Sequence, residues 1–368
     1  MAQTRYVMIG GFLGAGKTTA IARLGQHLAS AGTRVGLIAN DQSFELADTR
    51  LLEHAGFPVR EITGGCFCCR FDALIDAAAQ LTRDAAPDVF LAEPVGSCTD
   101  LKATVSYPLR RMYGDDFIVA PFSVMVEPVR AARMLGLEPG RRFSPKVLYV
   151  YEKQLEEADI IVVNRTDAVP PEKIAVLRTA LHARYPRARL FAVSAQEGDG
   201  LAEWFAAVLE SRDDGEADLL IDYDAYAEGE ALLGWLNCSA TLSGASFDGN
   251  EWLRELMGDI QRSLRDGSIE IAHLKSTLSS ADAPGELAAV QAARTDAGPE
   301  ASHWFYEPIT SGELIVNLRA EGDPDVLQRA TLDSLAAAAR RVGLTATVTH
   351  EEHFRPPRPV PTHRIVIR

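Results

Sequence analysis

Positive charge is in short supply. The 368-residue chain carries 37 Lys and Arg against 51 Asp and Glu, a formal net charge of −14 with a pI near 5.1. Such a surface repels a phosphate backbone, so no nucleic-acid partner is expected. Long apolar runs are missing too. None reaches the roughly 18 residues that a membrane-crossing helix requires, and no membrane partner is expected. The opening MAQTRYVMIGGFLGAGKTT lacks an apolar stretch followed by a small-residue cleavage site. No secretory signal is read there, and a cytoplasmic location is expected. Cysteine is sparse: five residues, an odd number, three of them at 66, 68 and 69. That distribution excludes a disulfide framework and points to metal or redox chemistry. What remains is ordinary for a globular protein, with 47% hydrophobic and 24% charged residues, over a length that suits two domains.

The first half alternates short apolar runs with amphipathic segments. Strands are expected at Tyr6–Gly10, Arg34–Ala39, Asp88–Ala92, Ser123–Val126, Ile160–Val163 and Leu190–Val193. Helices are expected from about Lys17 to Ala31 and over Phe71–Thr82, Pro171–Tyr185 and Leu201–Glu210. Repeated strand–helix units imply an α/β fold with a mainly parallel sheet covered on both faces. Between Ser211 and Glu230 eight of 20 residues are acidic and one is basic, which reads as a solvated linker. The second half has another rhythm, with strands at Gly234–Leu242, Glu270–Thr277, Glu286–Ala293, Glu313–Leu318 and Thr345–His353. Helices fall at Asn250–Leu264 and Pro324–Val342. This describes a smaller α+β domain of ferredoxin-like type. The expected division is therefore 1–212, an acidic linker 213–231, and 232–368. The closing FRPPRPVPTHR (354–364) is proline-rich and should be extended.

Gly11-Phe12-Leu13-Gly14-Ala15-Gly16-Lys17-Thr18 satisfies the G-x-x-x-x-G-K-[ST] phosphate loop, with Thr19 following inside the helix. Gly11, Gly14 and Gly16 let backbone N–H groups curl around a phosphate, and the helix beginning near Lys17 directs its positive end at the anion. Lys17 is expected on the β/γ-phosphates and the Thr18 hydroxyl on Mg²⁺. The loop alone does not name the base. Asn164-Arg165-Thr166-Asp167, at the end of a buried strand, resembles the N-K-x-D guanine motif, with Arg in place of Lys. A carboxylate at Asp167 pairs with two N–H donors of guanine that adenine lacks. Ser194-Ala195 ends the next strand, where GTPases offer a backbone N–H to the guanine O6. Glu93-Pro94-Val95-Gly96 stands where GTPases carry D-x-x-G, with Glu for Asp. Glu93, or Asp41 beside Asn40 at the end of the second strand, is the expected acid of the Mg²⁺ shell or of water orientation.

Gly64-Gly65-Cys66-Phe67-Cys68-Cys69 places three soft ligands in four residues, badly spaced for disulfides and suited to Zn²⁺, Cu⁺ and related ions. A structural zinc site normally closes with four ligands from two knuckles. One knuckle leaves an open position that favours exchange. A redox pair and inert buried cysteines are the alternatives. Cys98, two residues past Gly96, is a candidate fourth ligand or else a small core residue.

The phosphate loop, the G-G-C-x-C-C string, E-x-x-G and the guanine motif together resemble the CobW-type metallochaperone GTPases, relatives of the hydrogenase- and urease-maturation GTPases. The likeness spans about the first 210 residues. It implies GTP hydrolysis, Zn²⁺ or Co²⁺ on Cys66, Cys68 and Cys69, delivery to a client metalloprotein, and a homodimer on nucleotide binding. The histidine-rich loop of many members is missing, as the eight His are scattered. The closing tail resembles those of a branch associated with corrinoid and methyl-transfer enzymes. That likeness leaves open a GTP-gated accessory role with purely structural thiols; a small-molecule kinase is a further alternative. In the second half Cys238, Trp235, Trp252, Trp304 and Phe305 read as core, and His350 and His353 as facing opposite ways on one strand.

Overall fold

The computed structural model describes residues 3–41, 47–213 and 219–365. The chain divides into two compact units, one of Met1–Gln42, Leu51–Gly229 and Arg358–Arg368, the other of Ser43–Arg50 and Glu230–Pro357.

The first unit is built on β1 (Thr4–Gly11), β2 (Val35–Asn40), β3 (Val59–Ile62), β4 (Val89–Glu93), β5 (Phe117–Val119), β6 (Ser123–Val126), β7 (Ile160–Val163) and β8 (Arg189–Ala192). Their order is β3-β2-β4-β1-β6-β7-β8, and β5 pairs with the start of β1 while β6 pairs with its end. Every pairing is parallel. The strands are apolar where they cross the core, β6 and β7 being short and rich in β-branched residues, and Val7, Ile9, Leu91, Ile160 and Val162 are fully buried. That is the composition of a sheet covered on both faces, where no polar side is needed. The helix Lys17–Ser30 lays Ala20, Ile21, Leu24 and Leu28 into the same core. Each such large aliphatic side chain contributes about 1.5–3 kcal/mol on burial. Because the strands are parallel, their carboxyl ends share one edge, the edge where open α/β sheets bind ligands.

Several elements are not marked by apolar periodicity. β3 and β5 hold only four and three residues. The helix Pro145–Glu156 buries Gln154 among Val147, Val150, Tyr151 and Leu155, and that polar residue interrupts its apolar stripe. The acidic stretch also departs from a solvated linker. Residues 214–218 lie outside the described residues, but Tyr223–Ala231 is a helix. Leu219, Tyr226 and Asp213 are buried. Asp222, Asp224 and Glu228 stay in water, whereas Asp213, Leu219, Tyr226 and Glu230 are buried.

The second unit comprises β9 (Leu233–Phe247), the helix Gly249–Asp266, β10 (Glu270–Ser280), β11 (Leu287–Ala292), β12 (Glu300–His303), β13 (Ile309–Glu321), the helix Pro324–Arg341 and β14 (Thr345–Phe354). The antiparallel order is β12-β11-β10-β13-β9-β14. Without the β11–β12 addition this is the β-α-β-β-α-β succession of a ferredoxin-like domain. Both helices begin at aspartate caps: Asp248 accepts from the N–H groups of Asn250 and Glu251, and Asp323 accepts from Asp325. Trp252, Leu253, Leu256 and Ile260 of the first helix pack on Leu236, Leu274 and Val316. Trp235, Phe305 and Cys238 are buried. Trp304, expected in this core, is instead 57% exposed. It directly precedes Phe305, and the chain turns only the phenyl ring inward. His353 bonds Glu351 at 2.7 Å on its own side of β14, while the intervening Glu352 reaches Asn237.

Candidate nucleotide and metal site

The carboxyl edge of the first sheet assembles the candidate residues strand by strand. β1 runs into the glycine loop. Gly16 has φ +89°, and a Cβ there would stand 2.3 Å from Asn164 Nδ2; at Gly11 (φ +128°) it would stand 2.3 Å from the Met125 carbonyl. Only glycine permits this curl. It leaves a backbone cradle that a side chain would fill, and among the described residues no side chain caps the helix that starts at Lys17. Its first N–H groups and dipole are the elements of an anion site. The loop is braced from outside by Arg130, which donates to the Leu13 carbonyl and stacks on Phe12 and Phe143. Arg130 has no sequence signal as a loop brace.

From β4, Glu93 reaches the same helix start. Its Oε1 accepts from Thr18 Oγ1 at 3.1 Å and lies 3.9 Å from Lys17 Nζ, all three side chains being buried. Gly96 passes so close that a Cβ would meet Lys17 Nζ at 3.0 Å and Leu13 at 2.9 Å. Gln154, another residue without a sequence signal, fixes this segment by donating Nε2 to the carbonyls of Gly96 (2.9 Å) and Cys98 (2.8 Å).

At the end of β7, Asn164 ties two loops together. Its Nδ2 donates to the Ala15 carbonyl and its Oδ1 accepts from the Ala195 N–H, both at 2.9 Å. Ser194 is buried and its Oγ accepts from the Glu197 N–H. Arg165 takes the left-handed conformation (φ 59°), and Asp167 follows exposed in a short 3-10 turn. The Ala195 N–H is thus engaged within the protein.

The thiol loop lies between β3 and the helix Phe71–Ala85. Gly64 and Gly65 both have positive φ, and the N–H groups of Cys69 and Arg70 return to the Cys66 carbonyl. Sγ separations are 2.7 Å for Cys66–Cys68, 3.3 Å for Cys66–Cys69 and 3.7 Å for Cys68–Cys69. Thiolates on a tetrahedral zinc stand about 3.8 Å apart, so one pair already matches and the tightest must part by about 1 Å. The soft donor set and this convergence fit a thiophilic ion. Interactions with the neighbouring thiols, Cys68 first, hold the Cys66 thiol well below the ordinary cysteine range, whereas Cys68 is pushed well above it by Cys66, Cys69 and burial. Cys98 is buried in the segment after Gly96, and among the described residues the sulfurs mutually within 4.8 Å are those of Cys66, Cys68 and Cys69. Asn40 organises the loop: its Nδ2 donates to the carbonyls of Ile62 (2.9 Å) and Gly65 (2.8 Å), and its Oδ1 accepts from the Phe67 N–H (2.8 Å). Asp41, its neighbour, is half-buried and its N–H bonds the Ile62 carbonyl.

A parallel sheet with a glycine phosphate cradle at its carboxyl edge defines a P-loop nucleotide-binding protein. The sequence matches the CobW/HypB/UreG nucleotide-binding domain over residues 5–192, more than half of the chain, and the chain belongs to that family. It is 31% identical over 178 residues to the zinc chaperone YeiR of Escherichia coli (strain K12), covering 48% of this chain and 50% of the relative. It is 28% identical over 199 residues to the zinc chaperone CobW of a Sinorhizobium species, covering 49% and 56%. The chain thus spans about half the length of the curated relatives it matches. Among solved structures, Zn(II)-bound YjiA GTPase from E. coli aligns over 92% of this chain and 99% of its own, at 14% identity and a TM-score of 0.39. Helicobacter pylori HypB in complex with nickel aligns over 58% and 92%, at 15% identity and a TM-score of 0.43. Among the described residues no helix is long and apolar enough to cross a membrane.

Proposed function

We propose that this protein binds and hydrolyses GTP, holds Zn²⁺ or Co²⁺ on Cys66, Cys68 and Cys69, and passes the ion to a client metalloprotein under nucleotide control. Family membership and the zinc-chaperone names of its relatives support the class. One observation carries the coupling. Glu93, which meets Lys17 and Thr18, pairs with Ala39 on β2, and the next residue, Asn40, holds the thiol loop through Gly65 and Phe67.

In this reading the N–H groups from Gly11 to Thr19 and the Lys17 ammonium bind the phosphates. Asn164 sets the loops that flank the base, Asp167 accepts the guanine N–H groups, and Arg165 and Ser194-Ala195 line the base. Thr18 and Glu93 would hold Mg²⁺, which when bound neutralises phosphate charge. Glu93 or Asp41 orients the water that attacks the γ-phosphorus; the bond to the β–γ bridging oxygen breaks, and GDP and phosphate leave. Gly96 senses the γ-phosphate through its N–H, and Cys98 carries that shift to the thiols. By linkage, metal must tighten GTP binding by the factor that GTP tightens metal binding.

The test is a titration of Zn²⁺ and Co²⁺ against a chromophoric competitor, with and without a non-hydrolysable GTP analogue and Mg²⁺. Metal binding that depends on Cys66 and strengthens with the analogue is the expected result. Affinity that the analogue leaves unchanged would overturn the coupling and reduce the cluster to a structural or redox role.

A further inference from the structure

The thiol site has a cover that the function above does not use. Residues 360–365 form no helix or strand, and their contacts fall on the thiol loop, the start of the helix Phe71–Ala85 and the segment after Cys98. The Val360 N–H donates to Cys69 Sγ at 3.3 Å. Thr362 donates twice to the Cys68 carbonyl, from its N–H at 2.9 Å and its hydroxyl at 3.1 Å. The His363 ring stands edge-on to Phe71, at 5.2 Å between centroids. Arg364 Nε donates to Asp100 Oδ2 at 2.6 Å, and the Ile365 N–H bonds the Ala103 carbonyl at 2.9 Å. Cys68 and Cys69 belong to the thiol loop; Asp100 and Ala103 belong to the segment that continues from Gly96 and Cys98.

The Arg364 contact has its own physical reason. Asp100 is fully buried and takes the left-handed conformation (φ 63°), unusual for a residue with a side chain. Its carboxylate accepts from Tyr223 Oη at 2.6 Å, and Arg364 supplies the cation that a buried carboxylate needs. The rest of the segment is lightly held. Val360 is 69% exposed, and Thr362 and Arg364 are exposed as well. Upstream, Pro359 is buried, and prolines at 356, 357 and 359 stiffen the approach, with Pro361 inside the segment itself. The segment is anchored at one end and fastened beyond it by polar contacts rather than by an apolar core. A stiff segment of this kind loses little entropy when it closes and sacrifices only a few bonds when it opens.

We infer that Val360–Ile365 is a strap closing the thiol site, latched by Arg364 on Asp100, and that an ion reaches Cys69 only when the strap lifts. The inference rests on reading Cys66, Cys68 and Cys69 as the metal site. The strap also spans both ends of the coupling path, since it bonds the thiol loop and the segment after Gly96 at once.

The test is the alkylation rate of Cys69 in the full chain with no metal and no nucleotide, followed by iodoacetamide labelling and peptide mass mapping. Cys238, fully buried in β9, is the internal reference, because global unfolding exposes both residues and cancels in the ratio. Arg364→Gln removes the latch cation. Thr362→Pro removes the N–H and hydroxyl that bond Cys68. The Cys69-to-Cys238 ratio should rise about tenfold, the effect of losing a charge-assisted or paired hydrogen bond. A rise in either variant supports the strap; a ratio unchanged in both overturns it. Without metal or GTP in the assay, failure here leaves the metal–nucleotide coupling standing, and failure of the metal titration leaves this result standing.

Discussion

Replacing Asn40 by alanine should loosen the thiol loop while leaving the phosphate cradle intact. The carboxamide makes three bonds to that loop, at 2.8, 2.8 and 2.9 Å. The Ile62 carbonyl keeps a partner in the Asp41 N–H, so its loss is small. The Phe67 N–H and the Gly65 carbonyl lose theirs, and Phe67 is fully buried. An orphaned buried group costs about 1–3 kcal/mol. Solvent can reach the Gly65 side, so the sum is about 2–3 kcal/mol, or about 30- to 150-fold in an equilibrium constant. Competition with a chromophoric chelator should show Zn²⁺ affinity weakened by that factor. Affinity for a fluorescent guanine nucleotide, measured without Zn²⁺, should change less than about threefold. Asn40→Asp should not rescue. It keeps an acceptor for Phe67 but turns a negative charge on two carbonyls. Zn²⁺ affinity equal to that of the parent in Asn40→Ala would refute the view that this side chain shapes the metal loop.

Gly16→Ala should reduce nucleotide affinity by at least about tenfold, because the methyl would meet Asn164 Nδ2 and L-residues pay about 1–2 kcal/mol for the left-handed conformation; calorimetric titration with GTP reads this, and unchanged affinity would argue against the cradle. Glu157, buried and facing the Asp100 carboxylate, is pushed up to about 8 by burial, although the Lys102 N–H and Thr99 hydroxyl oppose the shift. A carboxyl whose folded pKa is raised binds more protons folded than unfolded, so stability falls as pH rises from about 4.5 to about 8. Urea unfolding at pH 6 and pH 8 should show that decline in the parent and a flatter profile in Glu157→Gln; equal slopes would count against it. In the second unit Arg319 is fully buried, stacks 4.0 Å from the Trp235 ring and donates to the Leu236 carbonyl and Asn237 Oδ1. Arg319→Ala should cost about 3 kcal/mol or more, read as a lower denaturant midpoint by tryptophan fluorescence. A midpoint within error of the parent would mean the guanidinium contributes nothing net.

Local features of this protein are written in consecutive residues. The glycine loop and the thiol string are visible because a cradle and a knuckle need particular residue types a few positions apart. The strands β1, β4, β6 and β7 are visible as short apolar runs because a doubly covered parallel sheet tolerates no polar side. The β-α-β-β-α-β succession of the second half follows from alternating periods of two and 3.6. Tertiary structure decided what those local pieces touch. Asn40 serves the thiol loop because β2 and β3 are parallel neighbours, which brings Gly65 beside it; Gln154 fixes Gly96 from a helix 58 residues away. Neither contact leaves a periodic trace, since one polar side chain serves one pair of carbonyls. Charge dominates the composition of the acidic stretch, which hides the anchor Tyr226, fully buried with its Oη accepting from the Thr99 N–H. The strap is the extreme case. Val360 and Cys69 are 291 positions apart, and a proline-rich segment has no period and no pattern that names its partner. Only the folded chain shows that its N–H groups find the Cys68 carbonyl and the Cys69 sulfur, and that the buried charge of Asp100 has Arg364 beside it.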